Sequence, residues 1–117
     1  MKDIVSRCPI EEAMQLISGR WPGLLIYYLR DRPKRFGDLR RNNPTVSSRI
    51  LTLELRKLEG AGVVERIEAP GFPKHVTYQL TAAGTELARL LDAIGAWWEA
   101  LANARDGVSA AVQPALP

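Results

Sequence analysis

The sequence of 117 residues is long enough for one compact domain and too short for two, and its 46% hydrophobic and 25% charged residues are typical of a folded chain rather than a disordered one. A single cysteine, Cys8, and a single histidine, His75, exclude an internal disulfide, a cysteine-rich zinc site and the usual multi-histidine catalytic or metal centres. The formal net charge is only +3, but residues 30–57 hold nine basic residues against three acidic ones, so we expect one strongly electropositive face.

The first part of the chain predicts three helices. Pro9 and two acidic residues open the first helix, and Gly19 closes it. The second begins at Trp21 and runs to about residue 30; its broad apolar stripe predicts that it is the most buried helix. The third is short, from residue 36 to residue 41, and its apolar residues Phe36 and Leu39 are expected to face inward.

A fourth helix is predicted from residue 47 to about residue 60, after a turn-forming segment at residues 42–45. Leu51, Leu55 and Leu58 recur at helical spacing and should face the core, and Ser47 is suited to cap the helix start. The opposite side of this helix carries basic residues and one apolar exception, namely Arg49, Leu53, Arg56 and Lys57.

Beyond residue 62 the apolar pattern alternates, which predicts strands at residues 63–68 and 75–80 joined by a proline-rich loop at residues 69–74. Thr81 then caps a long last helix that runs to about residue 103. We expect one domain over residues 1–105 and a disordered tail over residues 106–117.

This order of elements is that of a winged helix-turn-helix domain, mainly α with a small β-hairpin. In such a domain the third helix and the turn position the fourth helix to read the major groove of DNA, while the hairpin forms a wing over the backbone or the neighbouring minor groove. The prediction is therefore a DNA-binding protein rather than an enzyme.

Individual segments also resemble the HxlR-type family of bacterial transcriptional regulators, over residues 8–98. The segments that carry this resemblance are Cys8-Pro9-Ile10-Glu11, Gly19-Arg20-Trp21, Arg35-Phe36-Gly37-Asp38-Leu39-Arg40, Ser47-Ser48-Arg49-Ile50-Leu51-Thr52, Leu55-Arg56-Lys57-Leu58-Glu59, Gly62-Val63-Val64-Glu65-Arg66 and Tyr78-Gln79-Leu80-Thr81 with Gly84. The resemblance implies a regulator related to the MarR-like winged helices that dimerises through its first and last helices. Two positions depart from the family pattern: Leu53 replaces a polar residue, and His75 replaces a basic wing residue.

The candidate DNA-binding residues lie on the third and fourth helices and the wing. Arg49 is the candidate for a bidentate guanine contact, Leu53 for contact with a thymine methyl group, and Arg56 for a phosphate. The full set is Lys34, Arg35, Arg40, Arg41, Ser47, Ser48, Arg49, Thr52, Leu53, Arg56, Lys74 and His75. The alternative for each is a solvated surface residue with no ligand.

The last helix is more apolar than one domain needs to bury, which indicates a second subunit and hence a roughly palindromic operator. The candidate dimerisation residues are Ile10, Leu87, Leu91, Ile94, Trp97, Trp98 and Leu101.

Cys8 is the candidate effector residue. It lies just before a helix start and beside Arg7, an electropositive position, and the resemblance includes sensors that use a cysteine at the matching place. A redox or electrophile sensor and an inert structural cysteine both remain open. A small molecule bound among the first, second and last helices is the other candidate effector.

Three further expectations follow. No catalytic residue, metal or cofactor is assigned. The chain has no apolar run that approaches a membrane span and its first residues lack a signal peptide's apolar core, so we expect a cytoplasmic protein without a membrane partner. The alternative function is a winged-helix protein-interaction module without DNA binding; a small enzyme or ligand carrier is disfavoured by the shortage of histidine, cysteine and clustered carboxylates.

Overall fold

The computed structural model describes residues 8–71, 73 and 75–112 of the chain. In these residues five helices pack with a small antiparallel sheet, in the order predicted for a winged helix-turn-helix domain. The elements in chain order are α1 (Pro9–Ile17), α2 (Trp21–Leu29), β1 (Lys34–Arg35), α3 (Phe36–Asn42), α4 (Ser48–Gly60), β2 (Val64–Ala69), β3 (His75–Leu80) and α5 (Ala82–Val112).

The core lies where α2 and α4 meet. Leu51, Leu55 and Leu58, the predicted inward stripe of α4, are all fully buried. They pack with the buried side of α2, which supplies Leu25 and Ile26. Burying each such side chain contributes about 1.5–3 kcal/mol to folding, so this stripe fixes which side of α4 remains in solvent.

The start of α4 is defined by its cap. Ser47 has extended backbone and its Oγ accepts a hydrogen bond from the backbone N–H of Ile50 at 3.1 Å, as predicted. The preceding turn is held by Asn43, a buried residue whose Nδ2 donates to the carbonyl of Leu39 at 3.0 Å. These bonds satisfy polar groups at the turn and fix the direction in which α4 leaves α3.

The sheet contains a strand that the sequence did not predict. The strand order of the sheet is β1-β3-β2, with both pairings antiparallel, so β3 is the central strand and β1 is the strand that was not predicted. Tyr78 of β3 faces Lys34 of β1 on one side and Arg66 of β2 on the other. The two-residue β1 ties the start of α3 to the wing, because it comes directly before that helix.

A tight junction joins α5 to the sheet. Thr81 caps α5 as predicted: its Oγ1 accepts from the backbone N–H of Gly84 at 3.0 Å and donates to the carbonyl of Gly62 at 2.6 Å. Gly62 itself has a φ of 83°, which favours glycine and lets the chain turn from α4 into β2. The last helix therefore begins in direct contact with the end of α4 and the start of the wing.

The predicted end of the last helix was wrong. The helix continues past residue 103 to Val112, so the tail expected from Asp106 is helical as far as Val112. Residues 113–117 of that tail lie outside the described residues. No helix in the described part of the chain is long and apolar enough to cross a membrane.

Candidate nucleic-acid interface

The solvent-facing side of α4 carries the residues predicted to read DNA. Arg49, Leu53 and Arg56 are exposed, with Leu53 at 51%, while Thr52 is half-buried at the edge of this side. Arg49 and Arg56 make no hydrogen bond or ion pair with any other described residue. Two unpaired guanidinium groups and an exposed leucine therefore lie on one helix face, which the buried leucine stripe holds outward.

The first turn of α4 is fastened to α3 by Arg40. Its Nη1 donates to the Oγ of Ser48 at 2.9 Å, and its Nη2 donates to the carbonyl of Val46 at 3.3 Å. Arg40 and Ser48 were both predicted to contact DNA directly, and here they bind each other. Their arrangement places a positive charge at the helix start and orients the Ser48 hydroxyl toward α3.

Two other predicted phosphate contacts also have partners within the domain. The Nζ of Lys34 lies 3.5 Å from the Oδ1 of Asn42 and 5.7 Å from the ring centre of Tyr28. Arg41 forms an ion pair with Asp38 one turn earlier in α3. Because an exposed ion pair is worth little to stability, Arg41 can turn to a phosphate at small cost.

Asp38 organises the start of α3. Its Oδ2 accepts a hydrogen bond from the backbone N–H of Arg35 at 3.1 Å, and this bond lowers the pKa of the carboxyl below its ordinary value of 3.8. Desolvation opposes this by raising the pKa, and the bond to Arg41 and the charges of Arg41 and Arg32 lower it again, so that the net shift is downward. Asp38 therefore stays ionised and holds the helix start at neutral pH.

The wing residues are brought to α3 by the sheet. Arg35, at the end of β1, donates from Nη2 to the Nδ1 of His75, the first residue of β3. Both residues are exposed, and both were predicted to contact DNA. Lys74, the other wing candidate besides His75, lies outside the described residues.

A groove separates α4 from the wing strands. It has a volume of about 800 Å³ and is lined by Phe36, Thr52, Arg56, Glu59, Arg66, Val76 and Tyr78. Arg66 donates to the carboxylate of Glu68, and this bond and the neighbouring Tyr78 side chain raise the pKa of the guanidinium. Sequence reasoning missed Arg66, although the alternation of β2 places it on the same side as the buried Val64.

A second surface, away from the basic face, is apolar. Ile10 on α1 and Ile94, Trp97 and Trp98 on α5 are exposed at 69%, 49%, 62% and 56%. Leu87 and Leu91 instead pack against the core of their own domain while staying half-buried, and Leu101 is also half-buried. Among the predicted dimerisation residues, Ile10, Ile94, Trp97 and Trp98 are therefore the most exposed.

Beside this apolar surface is a cavity of about 460 Å³ between α2 and α5. Arg30 closes one side of it: its Nη1 pairs with the Oδ1 of Asp92 at 2.6 Å, and its guanidinium lies 4.1 Å from the ring centre of Tyr27. Cys8 is the residue that precedes α1, and its side chain is exposed.

Comparison with known proteins agrees with this geometry. The family described as HxlR-like helix-turn-helix matches residues 16–106. An uncharacterised HTH-type transcriptional regulator of Bacillus subtilis, YdeP, is 38% identical over 89% of this chain and 81% of its own length. The HTH-type transcriptional regulator YodB of the same organism is 37% identical over 86% of this chain and 91% of its own length. Among solved structures, the redox regulator HypR in its reduced form superposes with a TM-score of 0.77 at 35% identity, covering 86% of this chain and 99% of HypR.

Proposed function

The chain belongs to the HxlR-like helix-turn-helix family of DNA-binding transcriptional regulators, and from this premise we propose that it acts as a homodimer that inserts α4 of each subunit into the major groove of a roughly palindromic operator. The observation that carries the proposal is the exposed face of α4. It presents Arg49 without a partner among the described residues, on a helix fixed by a fully buried leucine stripe.

The base-reading role falls to the first two turns of α4. Arg49 supplies a planar pair of N–H donors that fits the O6 and N7 of guanine, and Leu53 supplies an apolar surface that fits the methyl group of thymine. Ser47, Ser48 and Thr52 add hydroxyl groups near the helix start. Of these, Ser48 reads a base only after exchanging its hydrogen bond with Arg40.

The positioning role falls to the cations around α4. Phosphate contacts hold a protein in register on the duplex without reading its sequence, and their strength falls steeply with salt. We assign this role to Lys34, Arg35, Arg40, Arg41, Arg56, Lys74 and His75. The excess of basic residues on this face disfavours the alternative of a protein-interaction module, which would present acidic or apolar residues there.

The dimer is proposed from the apolar surface of α1 and α5. Ile94, Trp97 and Trp98 are neighbours on α5 and are all exposed, which is unusual for a monomer, and a two-fold axis through α5 would cover them. Sedimentation at micromolar concentration should therefore give twice the monomer mass. A monomer under these conditions would argue strongly against the palindromic operator.

The effector is proposed to act near the same surface. The HypR relative is a redox regulator, and Cys8 is exposed at the start of α1, where an oxidant or electrophile can reach it. The cavity between α2 and α5 is the alternative place for a small molecule. Either event would change how two subunits pack and therefore the spacing of their reading helices. We place the protein in the cytoplasm, where its DNA partner lies.

The test is duplex binding measured by fluorescence anisotropy over a range of salt concentrations. The probe is the DNA upstream of the protein's own gene, compared with a random duplex. Arg49→Gln should lose about 1–3 kcal/mol of preference for the upstream duplex. Arg89→Gln, the same charge change on the exposed side of α5, should keep that preference. Equal preference in wild type and Arg49→Gln would remove Arg49 from base reading, and absence of duplex binding by the wild type would overturn the proposed function.

A further inference from the structure

Arg66, on strand β2 of the wing, has no role in the DNA contacts proposed above. Arg66 of β2 pairs with Tyr78 of β3 in the sheet, and side chains of directly opposed strand residues project to the same face. That face is the core-facing one, because Val64 on the same side of β2 is 2% exposed and Tyr78 is 9% exposed. Arg66 therefore points toward α4, at the place where the core ends and the groove begins.

The opposite wall of the groove is the side of α4. Thr52, Arg56 and Glu59 follow one another at helical spacing and line it. The two arginines thus face a shared opening of about 800 Å³, one from the reading helix and one from the wing. Each supplies a planar guanidinium group with five N–H donors.

The geometry of DNA determines what such an opening meets. A helix in the major groove and a wing over the adjacent minor groove must straddle the sugar-phosphate strand that separates the two grooves. We propose that the groove between α4 and the wing strands binds one backbone phosphate of that strand, held jointly by Arg56 and Arg66. This inference rests on the proposed function and adds to it a phosphate contact from the body of the wing.

Two neighbours shape how Arg66 would act. The Glu68 carboxylate accepts a hydrogen bond from its guanidinium and so restrains the side chain before DNA arrives, while Tyr78 lies opposite it on the next strand. A guanidinium has five N–H donors, and a phosphate takes two of them in a bidentate pair. Because the Glu68 carboxylate competes with the phosphate for this cation, removing its charge should strengthen binding.

The experiment measures duplex affinity and its salt dependence for matched charge variants. Arg66→Gln should weaken binding to the upstream duplex and to a random duplex by the same factor, roughly tenfold, and reduce the slope of log K against log salt by about 0.9. Arg89→Gln on α5 is its control for charge. Glu68→Gln should tighten binding to both duplexes more than Glu65→Gln, which makes the same charge change on the outer face of the same strand.

The double variant tests whether the two arginines share one phosphate. If they do, Arg56→Gln combined with Arg66→Gln should lose less than the product of the two single losses. Multiplicative losses would mean separate contacts and would overturn the shared site. An Arg66→Gln variant that melts like wild type and binds like Arg89→Gln would remove Arg66 from the interface. Should Arg66→Gln unfold, equal affinities of Glu68→Gln and Glu65→Gln would refute the inference instead.

These outcomes are distinct from failure of the proposed function. Wild-type protein that binds duplex DNA with a steep salt dependence supports DNA binding whatever Arg66 does. Wild-type protein that binds no duplex refutes both the proposed function and the phosphate site.

Discussion

Gly84 offers a quantitative test of how α5 is attached to the wing. A Cβ atom built on this glycine would lie 1.9 Å from the carbonyl oxygen of Val63 and 3.2 Å from the Cβ of Leu80. Val63 O is backbone and already accepts a hydrogen bond from the N–H of Thr81 at 3.1 Å. It cannot move aside as a flexible side chain would, so Gly84→Ala must displace either the first turn of α5 or the end of the α4–β2 turn.

The expected cost follows from that displacement. An ordinary carbon–oxygen contact requires a shift of about 1.3 Å, and overpacking of this kind costs about 1–3 kcal/mol. Weakening the Thr81 hydrogen bond adds about 1 kcal/mol. The better helix propensity of alanine offsets about 1 kcal/mol of this loss. We therefore expect Gly84→Ala to lower the free energy of unfolding by about 1–3 kcal/mol and the melting temperature by roughly 5–15 °C.

Urea unfolding at fixed protein concentration measures this loss of free energy of unfolding, and Gly60→Ala is the matched control. Gly60 is also helical, but no atom outside its own helix lies within 4 Å of its added Cβ. Its replacement should leave stability unchanged or raise it by up to about 1 kcal/mol. If Gly84→Ala unfolds at the same urea concentration as wild type, the close approach of α5 to Val63 is not a feature of the folded protein, and the reasoning fails.

Three other variants test single contacts. Leu53→Gln should change base preference at one operator position by about 1–3 kcal/mol, and selection from randomised duplexes would show this; an unchanged preference would leave Leu53 as an exposed surface residue. Cys8→Ser should abolish release of DNA by diamide or a quinone, and full release by the variant would make the thiol structural. Asp38→Asn should be less stable than wild type at neutral pH. Because the folded state lowers the pKa of Asp38, that deficit should disappear as pH falls below about 3.8 in urea titrations, whereas a deficit independent of pH would contradict the role of the ionised carboxylate.

Helix α4 was predictable because several local signals in the sequence agree on it. The cap at Ser47, the buried stripe of Leu51, Leu55 and Leu58, and the basic opposite face each follow from residue type and spacing within one segment. The structure confirms the cap and the stripe without correction. The exposed side of α4 follows from the buried stripe, because a helix that buries one side leaves the opposite side in solvent.

Features that depend on distant segments were not predictable in the same way. The two residues of β1 carry too short a pattern to indicate a strand, and they pair only because β3 supplies its edge. The internal bonds of Arg40 likewise depend on how α3 meets the start of α4. The extension of α5 to Val112 lies in a segment rich in small residues, where composition suggested a tail.

The same junction that Gly84 tests also connects the two proposed surfaces. Thr81 caps α5 and donates a hydrogen bond to the carbonyl of Gly62, in the turn that follows α4. This one residue therefore links the start of α5, the helix proposed to dimerise, to the end of α4, the helix proposed to read DNA. At the other end of the core, α2 packs on α4 and borders the cavity that it shares with α5. A change in the packing of α1 and α5 against a partner subunit would therefore move α4 as part of a rigid unit. Its consequence for DNA would be a change in the distance between two reading helices, because the buried leucine stripe keeps α4 fixed within its own subunit.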